Sequence, residues 1–241
     1  MSADRRYRLA TDAWLSGLLG RPAWTVVPEG GAAPLSELSK PGAQFATARV
    51  DAADTVGAMA LQAFGFRAVD MGLTLEAGRV EVANGGAARF AVPGDRAAVE
   101  AIAGSAFRFS RFHLDPMLPK PLADKVKATW AANWFRGTRG DGMVVAEDPQ
   151  GTVSGFLQLR WAAEERLVID LIAVRQDCTR RGLARAMIGF VQSHGTGDAR
   201  RPRGMIVGTQ AANIASVRLY ESLGFRLRDA RFVLHHHGSG S

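Results

Sequence analysis

Two groups of residues in the second half of the chain have the types and spacing needed to bind a phosphate-bearing ligand and to move a proton. The first is the turn Thr179-Arg180-Arg181-Gly182-Leu183-Ala184, which leads from an apolar strand pattern into a helix pattern. N–H groups at a helix N-terminus are unpaired and partly positive, so they bind a pyrophosphate wherever small residues let it approach. Gly182 and Ala184 provide that approach. The turn has one glycine and no following Gly-Lys-Ser/Thr, so it is neither a dinucleotide fingerprint nor a Walker loop.

The second group is a pair of polar residues on one predicted helix. Asn213 and Tyr220 are seven positions apart, which is two helical turns, so their side chains lie on nearly one face. A tyrosine hydroxyl can donate a proton to a leaving group, although a helical tyrosine is more often a core residue with a satisfied hydroxyl. A basic helix start with a solvated face is the corresponding alternative for the first group. Together, the two groups favour a binding site.

An alternating pattern of strands and helices, β-α-α-β-β-β-α-β-α-β, positions both groups. Hydrophobic periodicity and turn residues predict six strands: Ala87–Val92, Met143–Glu147, Val153–Trp161, Leu167–Val174, Met205–Thr209 and Ala230–Leu234. Four helices are predicted after Asp95, over Leu122–Arg136, over Gly182–His194 and from Asn213. Short turns join the middle three strands, which are therefore expected to be antiparallel neighbours. The sequence predicts a mixed α/β fold.

The element order and the eight-residue spacing from Val174 to Gly182 resemble the GNAT superfamily of acetyl-CoA-dependent N-acetyltransferases. The resemblance implies a mostly antiparallel mixed sheet flanked by helices, with acetyl-CoA as the cofactor. In this family the turn before the central helix binds the pyrophosphate, and the preceding strand pairs with the pantetheine arm. The residues implied to bind the cofactor are Leu171, Ile172, Ala173, Val174, Thr179, Arg180, Arg181, Gly182, Leu183, Ala184, Arg185, Asn213 and Tyr220. Thr179 departs from the family pattern, which prefers Gln or Arg there.

The resemblance also implies direct transfer of the acetyl group to an amine. A backbone N–H of the central strand stabilises the oxyanion, and Tyr220 protonates the departing sulfur. The sequence does not specify the general base. Asp170 on the central strand is one candidate, and a water relay is another. Strand alternation puts Asp170 on the face of Val168 and Ile172, where it is alternatively a strand-face residue with a local partner.

A narrower resemblance, spread over most of the chain, is to the TDP-fucosamine acetyltransferases. These two-domain members acetylate the amine of a nucleotide-linked 4-amino-4,6-dideoxy sugar. The matching residues are Leu61–Phe66, Ser110-Arg111-Phe112, Trp130, Asn133, Arg136-Gly137-Thr138, Thr209-Gln210, Asn213 and Tyr220. On this basis an irregular segment, residues 109–121, covers the acceptor site, and the residues expected to bind the acceptor are Arg111, His113, Asp115, Lys120 and Asn133. A solvated loop anchored by its phenylalanines is the alternative.

The N-terminal part of the chain, residues 1–85, is predicted to form a smaller, non-catalytic α/β domain. The pattern Gly65-Phe66-Arg67, Asp70, Leu73, Leu75 recurs at the same offsets as Gly224-Phe225-Arg226, Asp229, Phe232, Leu234. So short a match is equally compatible with chance and with a shared origin. With a shared origin, this part resembles a degenerate GNAT half that lacks the phosphate turn and has Leu61 in place of Tyr220. The predicted division is residues 1–85, a catalytic domain over residues 86–234, and a tail over residues 235–241 that is partly typical of an added tag.

Composition limits the partners. A formal net charge of +7, carried mostly by arginine, predicts an anionic partner. No apolar run reaches the roughly 18 to 20 residues of a membrane span, so neither a membrane partner nor a signal peptide is expected. The single cysteine, Cys178, excludes an internal disulfide and a multi-cysteine zinc site, and no metal site is predicted. These features predict a cytoplasmic protein and leave a homodimer open.

The expected function is therefore transfer of acetyl from acetyl-CoA to a small-molecule amine acceptor, the primary amine of a nucleotide-linked amino sugar. One alternative is another amine, such as an aminoglycoside, a small metabolite or a protein N-terminus. A second is an acyl-CoA-binding regulatory module without turnover. A nucleic-acid binder, suggested by the basic run Arg200–Arg203, lacks a docking motif and interleaved aromatic residues, so no nucleic-acid partner is expected.

Overall fold

The computed structural model describes residues 7–27, 44–80, 82, 87–198 and 200–238. These residues form ten strands: β1 (Arg8–Thr11), β2 (Ala23–Val27), β3 (Phe45–Asp51), β4 (Arg67–Ala77), β5 (Ala88–Phe90), β6 (Gly142–Glu147), β7 (Val153–Trp161), β8 (Arg166–Val174), β9 (Gly204–Gln210) and β10 (Arg226–His237). They also form six α-helices: α1 (Ala13–Leu19), α2 (Thr55–Ala63), α3 (Arg96–Ala106), α4 (Lys120–Phe135), α5 (Leu183–His194) and α6 (Ile214–Ser222). None of these helices is both long and apolar enough to cross a membrane.

The strands form one sheet in the order β1-β2-β3-β10-β4-β9-β8-β7-β6-β5. Only the β2–β3 and β8–β9 neighbours are parallel, and the other pairs are antiparallel. The predicted mixed α/β fold with a mostly antiparallel sheet is therefore confirmed. All six strands and four helices predicted after residue 85 are present.

Helices cover both faces of this sheet. On one face Met187 of α5 packs in the same apolar cluster as Leu157 of β7, and on the other face Ile102 of α3 packs with Phe156. The adjacent residues Phe156 and Leu157 thus point to opposite sides, as strand geometry requires. Because both sides are covered, the apolar pattern of β7 is nearly continuous instead of alternating, and its residues 154–159 are buried.

The last strand is longer than the predicted Ala230–Leu234 because it has a partner along each edge. β10 pairs with β3 as far as His237 opposite Phe45, and with β4 from Arg226 opposite Glu76. Residues 235–237, assigned from the sequence to a tail, thus complete a strand within the sheet. The end of the predicted tail, residues 239–241, lies outside the described residues.

The internal repeat corresponds to a repeated set of elements. The elements β3, α2 and β4 are followed later in the chain by β9, α6 and β10, with the same spacing between the starts of the three elements in each set. Strand register keeps this offset, because Gly72 lies opposite Gln210 just as Arg231 lies opposite Asp51. β10 sits between β3 and β4, and β4 sits between β10 and β9. The two predicted halves are therefore interleaved in one sheet, each contributing a strand to the other.

Candidate active site

A cleft opens where β8 and β9 separate. The two parallel strands pair only over Arg166–Ile169 and Gly204–Val207, although both continue for several residues. β8 stays paired with β7 and β9 with β4, so the sheet opens without losing either strand. The cleft has a volume of about 850 Å³. It is lined by α5 and α6 on one face of the sheet and by residues 106–110 and Lys127 on the other, so it passes through the sheet.

The open edge of β8 presents backbone groups to this cleft. The N–H of Arg175 donates to the carbonyl of Ser154 at 2.7 Å, in register with the β7–β8 ladder. Alternation along an antiparallel ladder then turns the N–H groups of Ile172 and Val174 away from β7. These groups face the gap between β8 and β9, where they can bind the amide groups of an extended ligand.

The turn before α5 is shaped to bind an anion through its backbone. Gly182 is the N-cap of α5 with a φ of 80°, and Arg180 also has a positive φ of 63°. No side chain caps this helix, and its first intrahelical bond runs from the N–H of Ala186 to the carbonyl of Gly182 at 2.9 Å. The three preceding N–H groups, those of residues 183–185, have no helical acceptor and carry the positive end of the helix dipole.

Most residues predicted to bind the cofactor meet in this cleft. Those lining it are Leu171, Ile172, Ala173, Val174, Thr179, Arg180, Gly182, Leu183, Ala184, Arg185, Asn213 and Tyr220. Arg181 is the exception, an exposed side chain at the turn that does not line the cleft. That these residues contact a cofactor stays a prediction.

Helix α6 is fixed at both ends. Asn213 is its N-cap, and the side-chain oxygen of Asn213 accepts a hydrogen bond from the N–H of Ser216 at 3.2 Å. Near the other end, the guanidinium of Arg185 donates to Ser222 Oγ at 2.7 Å, which ties α5 to α6 across the cleft. Tyr220 lies between these two anchors, so its position is set by local contacts of both helices.

The Tyr220 side chain is buried but borders the cleft. The residue is 2% exposed and packs against Phe225, with 5.4 Å between the ring centroids. Its hydroxyl has no hydrogen-bond partner among the described residues. Burial raises the pKa of Tyr220 well above its usual value, because the phenolate loses solvation. The side chain is therefore held as a neutral phenol that can donate a proton into the cleft.

The proposed base Asp170 is already paired. Its carboxylate accepts two hydrogen bonds from Arg139, both at 2.7 Å, and one from the Trp130 indole at 2.9 Å. A bulge in β8 explains the geometry, because Gln158 lies opposite Leu171 and the next partner, Leu159, lies opposite Ile169. Asp170 therefore points towards α4, and the prediction that it shares a face with Ile172 is wrong. These three hydrogen bonds occupy both oxygens of the carboxylate, which disfavours the base role.

Lys127 is a site residue that the sequence reasoning missed. It lies on α4, is 9% exposed and lines the cleft. Its ammonium group lies 4.7 Å from the Phe107 ring centroid and 4.8 Å from the Trp130 ring centroid, and it has no carboxylate within ion-pair distance in the described chain. Burial, followed by the positive charge of Arg111, lowers the pKa of Lys127 to about 7. The signal in the sequence was a lysine at apolar helical spacing, one turn after Ala123 and one turn before Ala131.

Two residues predicted to bind the acceptor instead stabilise the start of α4. The His113 ring hydrogen-bonds Ser110 Oγ at 2.6 Å and Asp124 at 2.9 Å, and its side chain is 4% exposed. Lys120 is exposed and pairs with Asp124 at 2.6 Å, one helical turn away. Neither side chain lines the cleft, so the structure does not support their predicted contacts with the acceptor.

Asp115 was predicted to bind the acceptor, but it is buried under β10. Its Oδ2 lies 2.7 Å from His235 Nδ1 and 2.8 Å from His237 Nε2, and its Oδ1 accepts from the N–H of Met117. These hydrogen bonds hold the pKa of Asp115 below its usual range in spite of its burial. The three side chains bring possible metal-ligand atoms within 4.8 Å of one another, yet direct hydrogen bonds already join them. The cluster fastens the irregular segment to the last strand.

The last two predicted acceptor residues also lie outside the cleft. Arg111 lines a second pocket, on the side of the loop towards β3. Its guanidinium donates to Thr47 Oγ1 at 2.6 Å. Asn133 is bonded to Arg136 on the outer part of α4, at 3.3 Å, and lines neither the cleft nor the pocket of Arg111.

Comparison with known proteins places the cleft in a family. The model of the acetyltransferase (GNAT) family matches residues 109–225, just under half of the chain, and this segment contains the splayed strands, the turn before α5 and Tyr220. Residues 109–225 form a GNAT acetyltransferase domain. The predicted family and the prediction of an acyltransferase domain are thereby confirmed.

Three similar proteins extend the GNAT comparison. The spore coat polysaccharide biosynthesis protein SpsD of Bacillus subtilis (strain 168) is 27% identical over 143 residues, which is 59% of this chain and 48% of SpsD. The chain thus spans about half the length of this relative. A GCN5-related N-acetyltransferase from Kribbella flavida is 15% identical with a TM-score of 0.58, over 99% of this chain and 91% of its own. A tandem GNAT protein from the clavulanic acid biosynthesis pathway is 13% identical with a TM-score of 0.57, over 92% of this chain and 77% of its own. The two structures establish the GNAT fold.

Proposed function

We propose that this protein is an N-acetyltransferase that uses acetyl-CoA and acetylates the primary amine of a nucleotide-linked amino sugar. The observation that carries the proposal is the cleft through the sheet, with a neutral phenol, Tyr220, on one side and a buried lysine, Lys127, on the other, which no described carboxylate pairs with. When acetyl-CoA and an amine meet in such a cleft, a proton donor approaches them from one face of the sheet and a proton acceptor from the other face.

The residues of the cleft fit acetyl-CoA. The N–H groups at the start of α5 match a pyrophosphate, and the left-handed Gly182 leaves them open because no side chain caps the helix. The free edge of β8 matches the amides of a pantetheine arm. When bound, acetyl-CoA supplies an activated acetyl group as a thioester, whose carbonyl carbon is the electrophile. The N–H groups of Ile172 and Val174 are the donors available to its carbonyl oxygen.

Two proton transfers are assigned to this chain. The neutral form of Lys127, which a pKa of about 7 makes available near neutral pH, takes a proton from the acceptor ammonium on its nitrogen, and this leaves the amine lone pair free to form the amide bond. Tyr220 gives its hydroxyl proton to the sulfur as the thioester bond breaks, so that the free thiol leaves. Solvent then takes the proton from Lys127 and restores that of Tyr220. Asp170 keeps its ion pair with Arg139 throughout.

The acceptor assignment rests on charge and on one relative. The chain carries a net charge of +7, which suits an anionic acceptor better than a polyamine. SpsD is named for polysaccharide biosynthesis, a process that uses sugars. Of the residues predicted to bind the acceptor, Arg111 lines the pocket beside β3, and the other four line neither that pocket nor the cleft.

A panel of amines tests the acceptor. Thiol release from acetyl-CoA is measured with nucleotide-linked 4-amino sugars, the same sugars without the nucleotide, an aminoglycoside and a peptide with a free N-terminus. The proposal requires the highest kcat/KM for a nucleotide-linked sugar. A higher value for the aminoglycoside or the peptide would reassign the acceptor, and acetyl-CoA binding without turnover of any amine would indicate a regulatory module.

A further inference from the structure

The N-terminal part of the chain contributes a second pocket, of about 600 Å³. Its walls come from β2, β3 and β10 and from the segment before α4, and its polar lining consists of Thr25, Thr47, Arg49, Asp51, Arg111 and Arg231. We name this the arginine pocket. It lies beside the short parallel pairing of β2 with β3, which is as short as that of β8 with β9. The arginine pocket is therefore the counterpart, in the repeat, of the catalytic cleft.

Three guanidinium groups face this pocket with few anions to match them. Arg49 is exposed to it and has no hydrogen bond or ion pair with any described residue. Within the part of the chain that the structure describes, the guanidinium of Arg231 has a single, long contact with a carboxylate, that of Asp229 at 3.6 Å. Arg111 is held by the neutral Thr47 hydroxyl at 2.6 Å, with its guanidinium 4.6 Å from the Phe112 ring centroid. The structure thus orients cations without pairing them.

The electrostatic cost of this arrangement is visible in the side chains themselves. Burial and the neighbouring charge of Arg49 lower the pKa of Arg111 to about 10. Desolvation by the surrounding pocket walls, followed by the charge of Arg231, lowers the pKa of Arg49, although its side chain stays accessible from the pocket. Two carboxylates accompany the three arginines. Asp51 lines the pocket opposite Arg231, and Asp70 lies across Val233 from Arg49, where burial raises the pKa of Asp70 to about 6. A group with two or more negative charges placed between the arginines relieves their mutual repulsion.

The arginine pocket is also next to the catalytic cleft. Ser110 lines the cleft and the following residue, Arg111, lines the arginine pocket. The charges of Arg49 and Arg111 both act on Lys127 in the cleft. One ligand can therefore reach from the arginines into the cleft past the segment that starts α4.

We propose that the arginine pocket binds the phosphate groups of the acceptor. Arg49, Arg111 and Arg231 donate hydrogen bonds to the phosphate oxygens, while the acceptor amine reaches Lys127. Arginine suits this role because its planar fork donates two parallel hydrogen bonds to phosphate oxygens. The choice of the acceptor as the source of the phosphate rests on the proposed function, whereas the binding of phosphate does not. The part of the chain that was expected to be non-catalytic then contributes to acceptor specificity through Arg49 and the walls from β2 and β3.

A titration tests phosphate binding without any turnover. Inorganic diphosphate and dTDP are each titrated calorimetrically into protein saturated with coenzyme A, so that the turn before α5 is already occupied. We expect Arg49→Gln and Arg231→Gln to raise the Kd at least tenfold, and the matched control Arg200→Gln, an exposed arginine paired with Asp198, to leave it unchanged. Weakening of both probes assigns the pocket to phosphate itself, and weakening of dTDP alone assigns it to a nucleotide. An unchanged Kd for both probes in both variants overturns the proposal.

Steady-state kinetics then tests whether that phosphate belongs to the acceptor. Measured at pH 9, where Lys127 is neutral with or without the charge of Arg49, the two variants should raise KM for a nucleotide-linked amino sugar about tenfold or more, with kcat, the KM for acetyl-CoA and turnover of the nucleotide-free sugar unchanged. An unchanged KM in both variants overturns the link to the acceptor. If no amine is turned over, the proposed function fails, while the titration still decides whether the pocket binds phosphate.

Discussion

At the scale of single residues, the environment of Tyr220 separates proton donation from binding. Its phenol is neutral, buried and anchored through α6, so removing the hydroxyl takes away a proton without disturbing the fold. We expect Tyr220→Phe to lower kcat about 100-fold, the lower end of general-acid contributions, with the Kd for acetyl-CoA within about twofold of wild type. Stopped-flow thiol release and calorimetry measure the two quantities. Unchanged kcat removes Tyr220 from the acid role.

Lys127 makes a prediction about pH. Its pKa of about 7 means that the neutral form, which accepts the proton, is depleted below pH 7. The kcat/KM for the acceptor should therefore rise between pH 6 and 7 and level off above it. Lys127→Met should lose about 100-fold in kcat and lose this inflection, while Lys127→Arg, permanently charged, should be equally inactive. A Lys127→Met enzyme that keeps the inflection at wild-type rate would show that the base lies elsewhere.

The free energy of unfolding of the Lys127→Met variant provides a control, because it should rise while the activity falls. The folded pKa lies below the usual 10.5, so between pH 7 and 10.5 the unfolded chain binds more protons at this site, and the site contributes stability that increases with pH. Below pH 7 the buried charge costs stability. Lys127→Met should therefore unfold at a higher urea concentration than wild type at pH 6. Its free energy of unfolding should be larger by about 1 to 3 kcal/mol. Lost activity cannot then be attributed to unfolding.

Several residues of the site follow from the sequence, and others do not, for identifiable reasons. The turn before α5 and the pair Asn213 and Tyr220 are local patterns, whose spacing fixes their geometry. Asp170 is different, because a bulge that has no sequence signature turned it from the expected face towards Arg139, a partner on the segment after α4. Asp115 failed as a prediction for a similar reason, since its partners lie on β10, at the far end of the chain.

At the scale of elements, the start of α5 depends on one backbone conformation. Gly182 has a φ of 80°, and an added Cβ would meet no atom within 4 Å, so a substitution there acts through the backbone alone. We expect Gly182→Ala to cost about 1 to 2 kcal/mol of strain and to raise the KM for acetyl-CoA about fivefold or more, as the N–H groups of the turn lose their alignment.

A second glycine provides the matched control for this change. Gly137, just beyond α4, has a φ of 68° and equally open surroundings, but it does not line the cleft. Gly137→Ala should lower the free energy of unfolding by a similar amount and leave the KM for acetyl-CoA unchanged. Equal KM effects of the two substitutions would contradict a specific role for the α5 turn.

The cluster of Asp115, His235 and His237 joins the segment before α4 to β10, and it should make the stability of the protein depend on pH. Burial lowers the pKa of His235 to about 4, below the usual 6.5, so the unfolded chain takes up more protons between these values. The free energy of unfolding should therefore fall as the pH is lowered from 6.5 towards 4, by up to about 1 kcal/mol per pH unit from this residue. Asp115, with a pKa below its usual range, stays ionised in both states above pH 5 and contributes no slope there.

Urea unfolding at several pH values between 5 and 7 measures this slope. His235→Gln retains a donor for Asp115 and removes the titrating ring, so its free energy of unfolding should change less with pH than that of wild type. If the free energy of unfolding changed equally with pH in the two proteins, His235 would not be the group that titrates. His236, whose pKa burial also lowers, contributes to both proteins and cancels in the comparison.

At the scale of the whole molecule, the interleaved sheet decides what can fold alone. β9 and β10 are the last two strands of the predicted catalytic domain, yet β4 from the N-terminal part of the chain lies between them. A fragment of residues 86–238 loses β4 as the partner of β9 and loses both partners of β10, which leaves three strand edges unpaired. We expect this fragment to be insoluble alone and to be rescued by co-expression with residues 1–85. A soluble fragment that unfolds cooperatively and binds acetyl-CoA would contradict the prediction.

The interleaving is also the part of the fold that the sequence could not reveal. Helices α3 to α6 and the strands from β6 to β9 are marked by periodicity and turn residues along the chain. The position of β4 between β10 and β9 depends on pairs that are far apart in the chain, such as Gly72 with Gln210, for which the local pattern carries no information. The one local sign was the recurrence of Gly65-Phe66-Arg67 as Gly224-Phe225-Arg226.

The constant offset between the two sets of elements, which strand register also keeps, argues that the two halves arose by duplication. We retain the two-part division of the chain as a proposal about its origin. It does not describe two separate bodies, because each half completes the sheet of the other.

The central claim is that the cleft between β8 and β9 transfers an acetyl group from acetyl-CoA to an amine. The most direct measurement incubates the protein with acetyl-CoA labelled in the acetyl group and a nucleotide-linked amino sugar, and follows both products by mass spectrometry. We expect one labelled amide for each thiol released, and a rate about 100-fold lower in Tyr220→Phe. Acetyl-CoA that binds the wild-type protein while no label reaches any amine of the panel would contradict the claim.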